Sequence, residues 1–170
     1  MLMEENVRNP TLFISTVALL GWMTAASGAD KVSEVFIRDA IQGNLAEIRL
    51  CQLVQDKAQS AEVKSYGQML VTDDSASNKL AQKVAEQIGI TVPTEPTVSQ
   101  KAMYDQMSRL SGTAFDRAFV REMIAEHKMN IPRFQNEAKK TKDAVADFAN
   151  QMLPILKKHL DAAQELQSGI

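Results

Sequence analysis

The chain has 170 residues, 45% hydrophobic and 24% charged, which suits one globular domain and excludes both a disordered segment and two full domains. With 19 Lys and Arg against 21 Asp and Glu, the formal net charge is −2, and no basic stripe of the kind nucleic-acid binders carry is expected. One cysteine, Cys51, excludes an internal disulfide framework and a cysteine-based zinc site. The seven glycines form no phosphate-cradling run, and neither G-x-S-x-G nor H-E-x-x-H occurs.

The N-terminal 29 residues stand apart from the rest. Thr11 to Ala29 is free of charge, with its most apolar part from Leu12 to Met23 and small residues from Ala25 to Ala29. This is the pattern of a secretory signal, with cleavage expected after Ala29 and Ser27 three residues from the cut. Glu4 and Glu5 offset Arg8, so an uncleaved anchor is the rival reading; the run is just long enough to span a bilayer. Either way the expected location is the periplasm, the cell envelope or outside the cell. Membrane contact would come only through this segment.

From residue 30 to 170 no period-2 alternation is sustained, and apolar residues recur three and four apart, the mark of helices. The spacing predicts a first helix from Ser33, as N-cap, to Ala58. A second, capped by Ser60, ends near Ile88-Gly89. After the two prolines of 91–96 comes a short helix from Thr97 to Leu110. A fourth is capped by Thr113, with Asp116 in its positive first turn, and ends at Lys139-Lys140. The last spans Lys142 to Leu166. Four long helices with one short helix in the middle connection make an all-α four-helix bundle.

The predicted inward stripes each carry an ionisable side chain. The first holds Phe36, Ala40, Gly43, Glu47, Leu50 and Val54; the second holds Val63, Tyr66, Leu70, Asp73, Ser77, Leu80 and Val84, with Asp74 beside Asp73. Val120, Met123, His127, Ile131, Phe134 and Ala138 form the third, and Val145, Phe148, Met152, Leu156, His159, Ala163 and Leu166 the fourth. Glu47 and Asp73 should lie level across their hairpin. His127 and His159 are offset by roughly 6 Å if their hairpin is symmetric about Thr141. Pro132 and Pro154 each delete an intrahelical hydrogen bond.

Buried charges must be paired or metallated. Glu47, Asp73, Asp74, His127 and His159 therefore form a candidate site for one metal ion, with iron or manganese favoured over zinc by the carboxylates. The alternative is a carboxylate–histidine network that fixes helix register and binds nothing, in a non-enzymatic envelope or stress-associated protein. Glu122 and Glu126 are expected in solvent, with Glu126 able to reach inward. Cys51 and the methionines read as packing, and Lys157-Lys158 as an exposed pair. No nucleophile–base pair speaks for a hydrolase or transferase.

Ala40-Ile41-Gln42-Gly43-Asn44-Leu45-Ala46-Glu47, Val63-Lys64-Ser65-Tyr66-Gly67-Gln68-Met69-Leu70-Val71-Thr72-Asp73, Phe115-Asp116-Arg117-Ala118-Phe119 and Leu153-Pro154 followed by His159 together resemble the bacterial domain of unknown function four-one-four-two family. The resemblance runs from about Val35 to Leu166. It implies a ferritin-like bundle, an exported or outer-membrane location and an unestablished biochemical role. Where the family's second-helix motif usually reads Asp-His, this chain has Asp73-Asp74. The Glu-x-x-His repeats of di-iron ferritins are missing, because Ile124 and Leu156 precede the two histidines by three residues.

Overall fold

The computed structural model describes residues 30–140 and 143–170, so the expected signal or anchor lies outside the described residues. Five helices follow one another: α1 Lys31–Lys57, α2 Ala61–Gln87, α3 Val98–Ser108, α4 Gly112–Ala138 and α5 Ala144–Gly169. No strand occurs among the described residues, and no helix among them is long and apolar enough to cross a membrane.

The helix ends follow capping chemistry. Ser60 caps α2 through Val63 N (3.2 Å), and Thr97 with Gln100 forms a reciprocal capping box on α3. Gly89 takes φ +75° beyond the end of α2, a left-handed turn that closes with Ile90 N donating to Ala85 O (3.0 Å). Three expected starts are corrected. Asp30, not Ser33, caps α1, accepting from Ser33 N at 2.7 Å; the carboxylate one turn earlier outcompetes the hydroxyl. Helix α4 begins at Gly112, and Thr113 instead donates to Gln59 Oε1 (3.1 Å). Helix α5 begins at Ala144, two residues beyond the expected start, with Asp143 as its cap through Val145 N and Ala146 N.

Contacts between helices give the topology. Helices α1 and α2 form an antiparallel hairpin, with Gln55 Nε2 donating to Lys64 O (3.1 Å) near its turn. The connection to α3 runs back along α1, held by Arg38 to Thr91 O (2.9 Å) and Arg49 to Glu95 (2.9 Å). Helix α4 therefore starts beside the α1–α2 turn, where buried Asp116 accepts from Gln59 N (3.1 Å) and Ser60 N (2.9 Å). It ends beside the start of α1, where buried Glu137 takes the Ser33 hydroxyl and pairs with Lys140 (3.0 Å). Helices α4 and α5 form the second hairpin, and α2 packs on α5 with Tyr66 Oη donating to His159 O (3.1 Å).

The core divides in two. One apolar cluster gathers Leu50, Val54, Leu70, Phe115, Phe119 and Met123 near the α1–α2 turn. The other gathers Phe36, Ile41, Ala81, Phe134, Phe148 and Met152 at the opposite end. In every long helix the residues between these clusters include polar ones: Glu47 on α1, Asp74, Ser77 and Asn78 on α2, His127 on α4 and His159 on α5.

Candidate metal centre

On α2 the expected Val63, Tyr66, Leu70, Ser77 and Val84 are buried, but Asp74 and Ala81 turn inward in place of Asp73 and Leu80. Leu80 is exposed, and the Asp73 side chain keeps 25% of its surface accessible. The α4–α5 offset is absorbed by stagger: Asn150 on α5 donates to Ala138 O at the end of α4 (3.2 Å). That register carries His127 and His159 to one height, with ring centroids 5.3 Å apart and edge to face.

Three of the five expected residues converge. One ligand atom each from Glu47, His127 and His159 lies within 4.8 Å of the other two, and Glu47 Oε1 is 3.9 Å from His127 Nε2. Asp73 and Asp74 lie outside this trio. Asp73 sits behind His159, with Oδ2 2.9 Å from Nε2 and 3.3 Å from Lys158 Nζ, so Lys158 is not merely a solvated lysine. Asp74 is buried, and its Oδ2 has no partner.

Hydrogen bonding decides which ring nitrogens are free. His127 Nδ1 lies 2.8 Å from Met123 O; a carbonyl only accepts, so Nδ1 carries the proton and Nε2 keeps its lone pair. The same reasoning applied to the Asp73 carboxylate puts the His159 proton on Nε2 and leaves Nδ1 free. Glu47 Oε1, His127 Nε2 and His159 Nδ1 are buried atoms without partners. Metal-binding histidines are held in this manner, the second nitrogen fixed by a carbonyl or carboxylate. Ligands about 2.0–2.2 Å from one ion lie at most roughly 4 Å apart, so loading would draw the trio slightly inward.

The electrostatics fit a cation-poor polar cavity. Burial pushes the Glu47 carboxyl up to about 7. Burial, then the neighbouring Glu47, raises Asp74 well above the usual carboxylate range. Both histidines are held below their ordinary value by burial, which outweighs the Met123 and Asp73 hydrogen bonds. Burial also works to raise Asp73, but the hydrogen bonds from His159 and Lys158 prevail and hold it low.

Glu126, expected mainly in solvent, lines the same small cavity as Glu47, Asp74 and His127. Burial, then Glu47 and Glu122, pushes it up to about 8. Asn44 joins the polar layer through Ser77 Oγ (3.1 Å), and Asn78 adds an unpartnered buried oxygen. The i, i+3, i+4 spacing of Asp74, Ser77 and Asn78 was the signal for this face. Cys51 is buried as expected, its thiol held protonated by burial and then by Glu47 and Asp74.

The glutamate–histidine cluster could hold a metal ion. No curated protein and no solved structure matches the chain. A family model described as Domain of unknown function (DUF4142) matches residues 22–166, nearly all of the helical region just described, and the chain belongs to that family.

Proposed function

We propose that this protein binds one divalent transition-metal ion in its core through Glu47, His127 and His159, with Asp73 orienting His159. The observation that carries the reading is the convergence of Glu47, His127 and His159 from three different helices, one ligand atom of each within 4.8 Å of the others, in residues that each also carry a buried polar atom without a partner. A network serving only to fix register would pair those atoms with one another, because an unsatisfied buried polar atom costs about 1–3 kcal/mol. Two imidazoles with one carboxylate suit iron, manganese or zinc. The Asp74 carboxyl in the adjoining cavity tilts the preference toward iron or manganese.

The arrangement of four long helices with one long crossover and a mid-height donor set supports a ferritin-like bundle. Export to the cell envelope is supported by the charge-free Thr11–Ala29 run with its small-residue end. The test is elemental analysis after reconstitution. The purified protein should retain close to one equivalent of iron, manganese or zinc, and His127→Gln or Glu47→Gln should lose it. Absence of retained metal in the unaltered protein refutes the reading.

A further inference from the structure

Gly43 sits in the middle of α1, where glycine weakens a helix relative to alanine. Packing does not require it. A Cβ at Gly43 would meet no atom within 4 Å, whereas one at Gly67 would stand 3.0 Å from Val54. What lies beside Gly43 is open space. A cleft of about 380 Å³ between α1, α3 and α4 and an inner cavity of about 40 Å³ share Asp39, Gly43, Glu47, Glu126, Asn130 and Arg133 as lining.

The outer cleft is acidic. It carries Asp39, Glu47, Glu122 and Glu126 against one cation, Arg133, and Arg133 is already paired with Asp39. The inner cavity is lined by His127 and Asp74, both more than nine-tenths buried, whose Nε2 and Oδ2 have no partner. Its volume suits one ion with a water or two.

We propose that the α1–α3–α4 cleft is the access path by which a hydrated divalent cation reaches the core, with Gly43 as its aperture and Glu122 as an attracting charge at its mouth. The path rests on the metal-site reading above. A wall without a side chain lets the ion's water shell pass the helix, and the Glu122 carboxylate at the mouth raises the local cation concentration. Glu122 lines the outer cleft only, so it acts on arrival rather than on coordination.

Rates separate the path from the site. Chelator-stripped full-length protein is mixed with Co²⁺ in a stopped-flow instrument, uptake is followed by the visible absorbance of the bound ion, and Kd is measured by calorimetry. Gly43→Leu is expected to slow uptake about 10-fold with Kd changed less than about threefold, because a plug slows arrival and departure alike. Glu122→Gln should slow uptake about threefold at low ionic strength, and the difference should vanish in high salt. Uptake at the unaltered rate in both variants overturns the path while leaving the metal site standing. No Co²⁺ bound by the unaltered protein overturns both.

Discussion

Raising the pH from 6.5 to 8.5 should destabilise the metal-free protein. Glu47 and Glu126 titrate near 7 and near 8 in the folded chain, against an ordinary 4.5. Over this range the folded state therefore holds protons that the unfolded state has already released, and stability falls as pH rises. The loss is about 1 kcal/mol for Glu47 and about 2 kcal/mol for Glu126. His127 and His159 act in the opposite sense, because the unfolded imidazoles are half charged at 6.5 while burial holds the folded ones below their ordinary value; even fully neutral in the fold, the two together could return at most about 1 kcal/mol. The net loss is about 2 kcal/mol, with buried Asp74 adding to it. For a domain of this size that is a fall in Tm of roughly 4–8 °C. Thermal melts followed by circular dichroism, in chelator and in buffers of equal ionic strength, measure it. A bound cation would take over the carboxylates' protons, so saturating metal should shrink or reverse the trend. A metal-free Tm that is flat or rises across this window refutes the account of the buried carboxyls.

Three further outcomes follow from the same geometry. Asp73→Asn keeps the shape behind His159 but removes the charge, and should weaken metal affinity about 10–100-fold with the far-UV spectrum unchanged; a competition titration against a chelator checks it. Asp74→Asn removes a buried carboxyl from beside Glu47 and should raise the metal-free Tm at pH 8.5, a gain that shrinks steadily as pH falls and disappears only below about pH 4, the unfolded carboxylate range. Asp116→Ala leaves Gln59 N and Ser60 N without their acceptor, a loss of about 1–3 kcal/mol. Urea denaturation measures that loss, and a change below about 0.5 kcal/mol contradicts the role given to Asp116.

Periodicity and caps made the helices legible, because Ser60, Gly89 and Thr97 act through local backbone geometry that sequence encodes directly. Starts were misplaced where two candidate caps compete within one turn, as at Asp30 and Ser33. The candidate site was legible as one ionisable residue per apolar stripe. Its division of labour was not. Asp73 and Asp74 project about 100° apart around α2, on either side of the stripe of Val63, Tyr66, Leu70, Ser77 and Val84, so which of them faces inward is set by how α2 packs on its neighbours and not by its own pattern. The height of His159 depends on how far α5 slides along α4, which the Asn150–Ala138 contact reports and hairpin counting cannot. Asp116 looked like a first-turn carboxylate, yet its oxygens serve the backbone of another hairpin, a tertiary contact outside any local rule.

The polar layer also explains what kind of ion the core would accept. It separates two apolar clusters that could otherwise have been continuous, so it forgoes burial of apolar surface and strands several polar atoms. An ion bridging Glu47, His127 and His159 would remove part of that cost and tie α1, α4 and α5 together at mid-height, making metal binding stabilise the fold by linkage. The nearby soft donor is kept out. Cys51 is buried, and its thiol is held well above the ordinary range by burial and then by Glu47 and Asp74, whereas a thiolate is what a soft ion would need. Burial first, and the neighbouring carboxyls second, keep the proton on Cys51, which leaves oxygen and imidazole nitrogen as the donor set. Such a set selects against Cu(I) and other thiolate-seeking ions.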